Sequence, residues 1–124
     1  MTAVREVMTE QLVTVEPSTS VAAAVTVMGI QRVGAVLVME SARLQGIFTE
    51  RDLVRALSYD IGAASQLVGQ WMTRDPVTVG PEASVDQALE IMLAGHFRHL
   101  PVTEGESVVG IVSIRDLSRA TLSE

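Results

Sequence analysis

The strongest constraint on the fold is an internal repeat with a period of about 64 residues. Val4 to Ala56 aligns with Val68 to Ala120 without a gap, and about twenty positions are identical. Two copies are too few, and each is too long, for a solenoid of small repeats, so we predict a duplicated domain with a pseudo-twofold axis. We expect the copies to occupy residues 1–60 and 61–124. The best-matched blocks are Met-Thr at 8–9 and 72–73, Val-Thr-Val-x-Pro at 13–17 and 77–81, Gly-Ile at 46–47 and 110–111, and Arg-Asp-Leu-x-Arg-Ala at 51–56 and 115–120.

Each copy shows the same order of hydrophobic periods, which predicts a β-α-β-β-α unit and an α/β (α+β) fold class. A short β-branched run precedes a helix that ends near Gly29 or Gly95, and two apolar runs after it predict a hairpin and a final helix. Residues 58–65 are interpreted as the linker between copies. The first helix of each copy carries an apolar stripe at i, i+3, i+4 and i+7, formed by Val21, Ala24, Val25 and Met28 and by Val85, Ala88, Leu89 and Met92.

Composition excludes several classes of function. The chain has no cysteine, which rules out disulfides, thiolate metal sites and a cysteine nucleophile. A net charge of −6 disfavours nonspecific binding to nucleic acid or anionic lipid. The first residues carry charges where a secretory signal needs an apolar run, and no stretch has the roughly 20 apolar residues of a membrane helix. We therefore expect a cytoplasmic protein with no membrane or nucleic-acid partner.

The chemistry of the chain is concentrated in two related motifs, Gly-Ile-Phe-Thr-Glu-Arg-Asp at 46–52 and Gly-Ile-Val-Ser-Ile-Arg-Asp at 110–116. In each, a strand enters a helix through a hydroxyl residue, with an aspartate three positions later: Thr49 with Asp52, and Ser113 with Asp116. One interpretation is purely structural, because this spacing caps a helix. The other is ligand binding, because helix N-termini hold phosphates and a short carboxylate accepts hydrogen bonds from ribose hydroxyls. The two are not exclusive.

The doubled pattern of Met-Thr, Val-Thr-Val-x-Pro, Leu-Pro-Val and Gly-Ile-x-Ser/Thr-x-Arg-Asp-Leu resembles that of the tandem CBS domain pair, or Bateman module, over nearly the whole chain. The resemblance implies two repeats whose sheets face each other with helices outside. It also implies an adenosine ligand: AMP, ADP or ATP, with S-adenosylmethionine or NAD as alternatives, and no required cofactor. The hydroxyl of each motif would contact phosphate and the aspartate would contact ribose.

In that family each cleft combines residues of both repeats. The resemblance therefore groups Thr49 and Asp52 with Val77, Thr78, Arg98 and His99, and groups Ser113 and Asp116 with Val13, Thr14, Gly34 and Ala35. Arg98 and His99 are suited to holding a phosphate. The alternative is that Arg98 is a surface cation and His99 an ordinary strand residue. Because Gly34 and Ala35 lack donor side chains, we expect the second cleft to hold phosphates less tightly.

We expect no enzymatic activity, because the only histidines, His96 and His99, have no cysteine or dense acidic motif beside them to build a metal site or a triad. The resemblance predicts a regulatory module that senses adenine nucleotides and signals its ligand state to an unidentified protein. Pairs of that family assemble into dimers through their helices, so the resemblance implies a homodimer, and we expect it to act as a separate sensor or regulatory subunit. The alternative function is a ligand-free dimerisation or protein-interaction module.

Overall fold

The computed structural model describes residues 1–123 and confirms a mixed α and β fold, in which a helix, a β-hairpin and a final helix follow in the same order in both copies. Short 3-10 helices lie at Val4–Glu6 and Ile61–Ser65. Because α2 continues to Tyr59 and a 3-10 helix follows, the predicted linker 58–65 is largely helical. The helices and strands are β1 (Thr14–Val15), α1 (Val21–Gln31), β2 (Ala35–Glu40), β3 (Arg43–Thr49), α2 (Glu50–Tyr59), α3 (Val68–Trp71), β4 (Thr73–Arg74), α4 (Val85–Gly95), β5 (His99–Glu104), β6 (Ser107–Ser113) and α5 (Ile114–Ser123).

The chain divides into two compact units whose boundaries differ from the expected halves of the sequence. The first unit is Val13–Pro76, and the second combines Met1–Leu12 with the chain from Val77 onwards. The segment before each repeat's first strand therefore packs with the other repeat. We call residues 1–12 and 66–76 the exchanged segments. The division at residues 60 and 61 stays a prediction about the sequence repeat, whereas the packing units are offset from it.

The first unit contains a four-stranded sheet in the order β1-β2-β3-β4. Strand β1 is parallel to β2, and the hairpin of β2 and β3 is antiparallel. The exchanged strand β4 completes the edge by pairing antiparallel with β3, with Gly46 opposite Arg74 and Ile47 opposite Thr73. The hairpin turn places Ser41 and Ala42 at φ 53° and 64°, the positive values that a tight two-residue hairpin turn requires.

The second unit has the equivalent arrangement around β5 and β6, which form an antiparallel pair. Isolated bridges stand where the first unit has β1 and β4: Val79 is parallel to Val102, and Thr9 is antiparallel to Ile111. The predicted strand at 77–79 is therefore reduced to a single bridge. The exchange is fixed by main-chain bonds as well, since Thr9 and Ile111 donate to each other's carbonyls at 2.8 and 3.0 Å.

The apolar stripes of α1 and α4 are buried as predicted. The side chains of Ser20 and Ser84 accept from Ala23 N–H and Gln87 N–H and so begin the two helices. Both helices end at a left-handed residue, Arg32 at φ 58° and His96 at φ 60°. Gly29 is thus inside α1, while Gly95 is the last residue of α4.

Each core includes apolar side chains from an exchanged segment. Val4 is fully buried in the core of the second unit, whereas Val68 and Met72 are buried in the core of the first. Burial of such side chains contributes about 1.5–3 kcal/mol each, so the exchange contributes to the stability of both units. Within residues 1–123, no helix is long and apolar enough to span a membrane.

Candidate functional site

The first motif lies where β3 enters α2, and its two polar residues form a capping box. Thr49 is the N-cap residue, and its hydroxyl oxygen accepts from Asp52 N–H at 3.2 Å. Asp52 Oδ2 accepts in return from Thr49 N–H at 2.9 Å and from the Thr49 hydroxyl at 3.1 Å. The arrangement satisfies main-chain N–H groups at the helix start, as the capping interpretation requires.

Asp52 has further partners that the sequence pattern did not identify. Its Oδ1 accepts from the Thr73 hydroxyl at 3.0 Å and from Arg55 NH2 at 3.3 Å. Asp52 is only 4% exposed and is the buried charged residue of the described chain. A buried carboxylate must be paired and hydrogen-bonded to be tolerated, and here these two residues meet that need. Thr73 could have been singled out from the Met-Thr block that both copies share, and Arg55 could have been singled out from the shared Arg-Asp-Leu-x-Arg block.

Arg55 connects this carboxylate to the exchanged segment of the first unit. Its NH2 also donates to Trp71 O at 2.6 Å, and its guanidinium carbon lies 5.7 Å from the centroid of the Trp71 ring. Trp71 Nε1 donates to Gln66 Oε1 at 2.8 Å, and the ring lies 6.3 Å from that of Tyr59. Trp71 therefore packs against Arg55 and Tyr59 of α2 and bonds Gln66 of its own segment.

The second motif lies where β6 enters α5, and it forms the equivalent capping box with fewer partners. Asp116 Oδ2 accepts from Ser113 N–H at 2.9 Å, and Ser113 Oγ accepts from Asp116 N–H at 3.1 Å. Asp116 is half-buried, in contrast to Asp52. Thr9 and Arg119 occupy the repeat positions of Thr73 and Arg55. Neither donates a side-chain hydrogen bond to Asp116 within the part of the chain that the structure describes.

The other candidates of the first unit gather beside Thr49. Ala35 is directly opposite Thr49 in the β2–β3 ladder, and Gly34 O accepts from Glu50 N–H at 3.1 Å. Val13 O accepts from Leu37 N–H at 3.0 Å, and Thr14 pairs with Leu37 and is exposed. Thr14 and Ala35 thus lie in β1 and β2, with Val13 and Gly34 just before them, whereas Thr49 ends β3 and Asp52 lies in α2.

The candidates of the second unit gather beside Ser113 in the same way. His99 is directly opposite Ser113 in the β5–β6 ladder, and Arg98 O accepts from Ile114 N–H at 2.8 Å. Val77 is 44% exposed, and Thr78 is half-buried just before the bridge at Val79. Opposed residues of an antiparallel ladder have Cβ atoms about 4.5–5.5 Å apart, so the His99 ring and the Ser113 side chain are neighbours.

Each unit therefore assembles one set of six candidate residues around a strand-to-helix junction. The set of the first unit offers main chain and small side chains beside its hydroxyl, whereas that of the second offers a histidine and an arginine. The two sets are chemically unequal, but Arg98 and His99 lie in the set of Ser113 and Asp116, whereas the resemblance grouped them with Thr49 and Asp52. The resemblance also implies that each motif shares a cleft with residues of the other repeat. That grouping stays a prediction.

Comparison with known proteins gives the family. CBS domain-containing protein YhcV of Bacillus subtilis is 30% identical over 118 residues, which cover 95% of this chain and 84% of that protein. The crystal structure of the CBS-domain containing protein ATU1752 from Agrobacterium tumefaciens has a TM-score of 0.92 and 37% identity, covering 97% of this chain and 99% of that one. CBSX2, solved in complex with AMP, has a TM-score of 0.85 and 28% identity, covering 99% and 98%. The family model for the CBS domain matches twice, and the chain therefore belongs to the CBS-domain family, with one CBS domain at residues 4–59 and a second at 68–123.

Proposed function

We propose that this protein is a regulatory module that binds an adenine nucleotide, with AMP the first candidate, and signals its ligand state to a partner protein. The observation that carries the proposal is the pair of Thr/Ser–Asp capping boxes at the strand-to-helix junctions, present in both copies. Membership of the CBS-domain family supports it, as does the AMP complex of the similar protein CBSX2. ADP, ATP, S-adenosylmethionine and NAD remain alternative ligands.

The chemistry of the two sets suits such a ligand. A helix N-terminus favours anionic groups, and Ser113 Oγ acts in the cap as an acceptor, so its hydroxyl hydrogen is not needed there and can be donated to a phosphate. Arg98 and His99, which the resemblance grouped with Thr49 and Asp52, lie beside the Ser113 junction, so we propose that they add donors for phosphate there, in place of the weaker phosphate site expected from the sequence. A carboxylate oxygen can accept from ribose hydroxyls. These residues suit binding rather than transformation of a ligand, so we propose a binding role without catalysis. We also propose that the protein acts in the cytoplasm.

The test is isothermal titration of AMP, ADP, ATP, S-adenosylmethionine and NAD into the wild type and two matched variants. Ser113→Ala and Ser84→Ala each remove the side-chain cap of one helix, but only Ser113 belongs to the candidate set. We expect saturable heat with AMP, weakened about tenfold by Ser113→Ala and unchanged by Ser84→Ala. Equal affinity in both variants would mean that Ser113 serves only as a cap. Absence of heat with every ligand would contradict the proposal.

The second candidate function is self-association or docking without a ligand. Exposed apolar side chains on α2 and just after it favour this function, since Val54 is 65% exposed, Tyr59 80% and Ile61 88%. Such side chains are common at protein interfaces. We propose a homodimer, to be measured by light scattering at micromolar concentration. A monomer at that concentration would contradict it, and a dimer that ignores every nucleotide would favour the interaction module.

A further inference from the structure

The two copies of the motif differ in how many donors hydrogen-bond to the aspartate carboxylate. Asp52 accepts from four donors, which are the Thr49 N–H, the Thr49 hydroxyl, the Thr73 hydroxyl and Arg55. A carboxylate has about four lone-pair positions for hydrogen bonds. With its side chain only 6% exposed, Asp52 can accept from a ribose diol only if one of its side-chain donors gives up its bond, and Thr73 and Arg55 occupy Oδ1.

These two partners connect Asp52 to the exchanged segment of its unit. Thr73 lies in β4, the edge strand that this segment adds to the sheet. Arg55 donates both to Asp52 and to the main chain of Trp71, and so joins α2 to the same segment. A ribose diol could supply replacement donors, but admitting it would break the bonds by which Asp52 holds Thr73 and Arg55 against α2.

Asp116 is placed differently although its motif is the same. Its described bonds are those of the capping box, which uses Oδ2, and the residue is half-buried. The equivalent residues Thr9 and Arg119 make no side-chain bond to it within residues 1–123. A ribose diol can therefore approach Asp116 without displacing either of them.

We infer that the two aspartates have different roles. Asp52 is a positioning residue that holds residues 71–74 against α2 and takes no ribose, so of the two aspartates that the resemblance assigns to ribose only Asp116 stays available to a ligand. The role of Asp116 rests on the proposed function, whereas the role of Asp52 does not.

The positioning role is tested by thermal unfolding of matched threonine variants. Thr73→Val removes the hydroxyl that bonds Asp52, while Thr9→Val makes the same change at the equivalent position, which is exposed as Thr73 is but bonds no carboxylate within the described residues. We expect Thr73→Val to lower Tm by about 3–5 °C and Thr9→Val by about 1 °C. In an Asp52→Asn background the effect of Thr73→Val should fall to less than half. Equal shifts for the two valine variants, or an effect of Thr73→Val that does not depend on Asp52, would overturn the inference.

The ligand-binding role is tested by titrating AMP into folded Asp116→Asn, Asp52→Asn and Thr73→Val, with the active fraction corrected for unfolded protein. We expect Asp116→Asn to weaken AMP at least about tenfold, and Thr73→Val, which lies outside the candidate binding residues, to stay within about twofold of wild type. If Asp52→Asn does not fold, Thr73→Val still reports on the first motif. Loss of binding in folded Asp52→Asn with binding retained in Asp116→Asn would reverse the assignment. Absence of heat with the wild type would refute the proposed function and the role of Asp116, while the Tm shifts would still decide the role of Asp52.

Discussion

Gly46→Ala should be among the most destabilising small substitutions in the chain. Gly46 lies in β3 directly against the exchanged strand β4. A Cβ atom added there would lie 2.5 Å from Thr73 O and 2.8 Å from Met72 Sδ. Its counterpart Gly110 faces the other exchanged segment, where the added atom would meet Met8 Sδ at 2.6 Å and Thr9 O at 3.0 Å. Both glycines therefore allow an exchanged segment to approach closely.

The loss of unfolding free energy at each glycine depends on which neighbouring atom must move to make room for the added Cβ. Inserting a carbon into a packed interior costs about 1–3 kcal/mol. At Gly46 the obstacle is a backbone carbonyl of a paired strand, which cannot turn away, so we expect a loss of about 3 kcal/mol. At Gly110 the nearest atom belongs to the flexible Met8 side chain and the carbonyl is farther away, so we expect about 1–2 kcal/mol.

Urea unfolding followed by far-UV circular dichroism measures both losses. Fluorescence of Trp71, the single tryptophan, follows the first unit separately. Gly29→Ala is the matched control, because it lies in α1 with no atom within 4 Å of the added Cβ, and it should stabilise by about 0.5–1 kcal/mol. The reasoning is refuted if Gly46→Ala costs no more than Gly110→Ala.

The remaining predictions use the same unfolding assay. Val4→Ala removes a fully buried side chain from the second core and should cost about 2 kcal/mol; a loss near zero would contradict the exchange. Ser84→Ala removes the N-cap of α4 and should cost about 1 kcal/mol. Arg32→Gly relieves a left-handed residue at φ 58° and should gain about 0.5–1 kcal/mol; a loss would show that the Arg32 side chain matters more than its backbone. A fragment of residues 13–76 contains one whole unit and should unfold cooperatively, whereas residues 1–60 should not.

The sequence was sufficient to predict the fold class, the β-α-β-β-α order of the first copy and the apolar stripes, because these follow from local periodicity that appears twice. It did not predict α3 or β4. The helix stop near Gly29 was misplaced because Arg32, rather than a glycine, takes the left-handed conformation. The turn at Ser41 and Ala42 has positive φ angles without the Asn-Gly signal typical of such turns. Tertiary packing imposes the positive φ angles of these residues, and no local sequence pattern predicts them.

The exchange of segments could not be predicted from the repeat. An alignment of two copies states that Val4 and Val68 are equivalent, but it does not state which copy each side chain packs against. That choice depends on nonlocal contacts, such as Val4 N–H with Ala83 O at 2.8 Å and Val68 N–H with Thr19 O at 2.8 Å. The expected boundary near residue 60 therefore describes the duplication and not the packing.

The same distinction applies to the site. The matched motifs predicted which residues form the capping boxes, and the structure places both boxes as expected. Two copies of a related motif can still differ in whether the aspartate is available to a ligand. Thr73 of one exchanged segment donates to Asp52. Thr9 of the other exchanged segment makes no side-chain bond to Asp116 within the described residues. A repeat predicts the local geometry of each copy, whereas the partners contributed by the neighbouring segment determine whether its carboxylate stabilises the fold or stays available to a ligand.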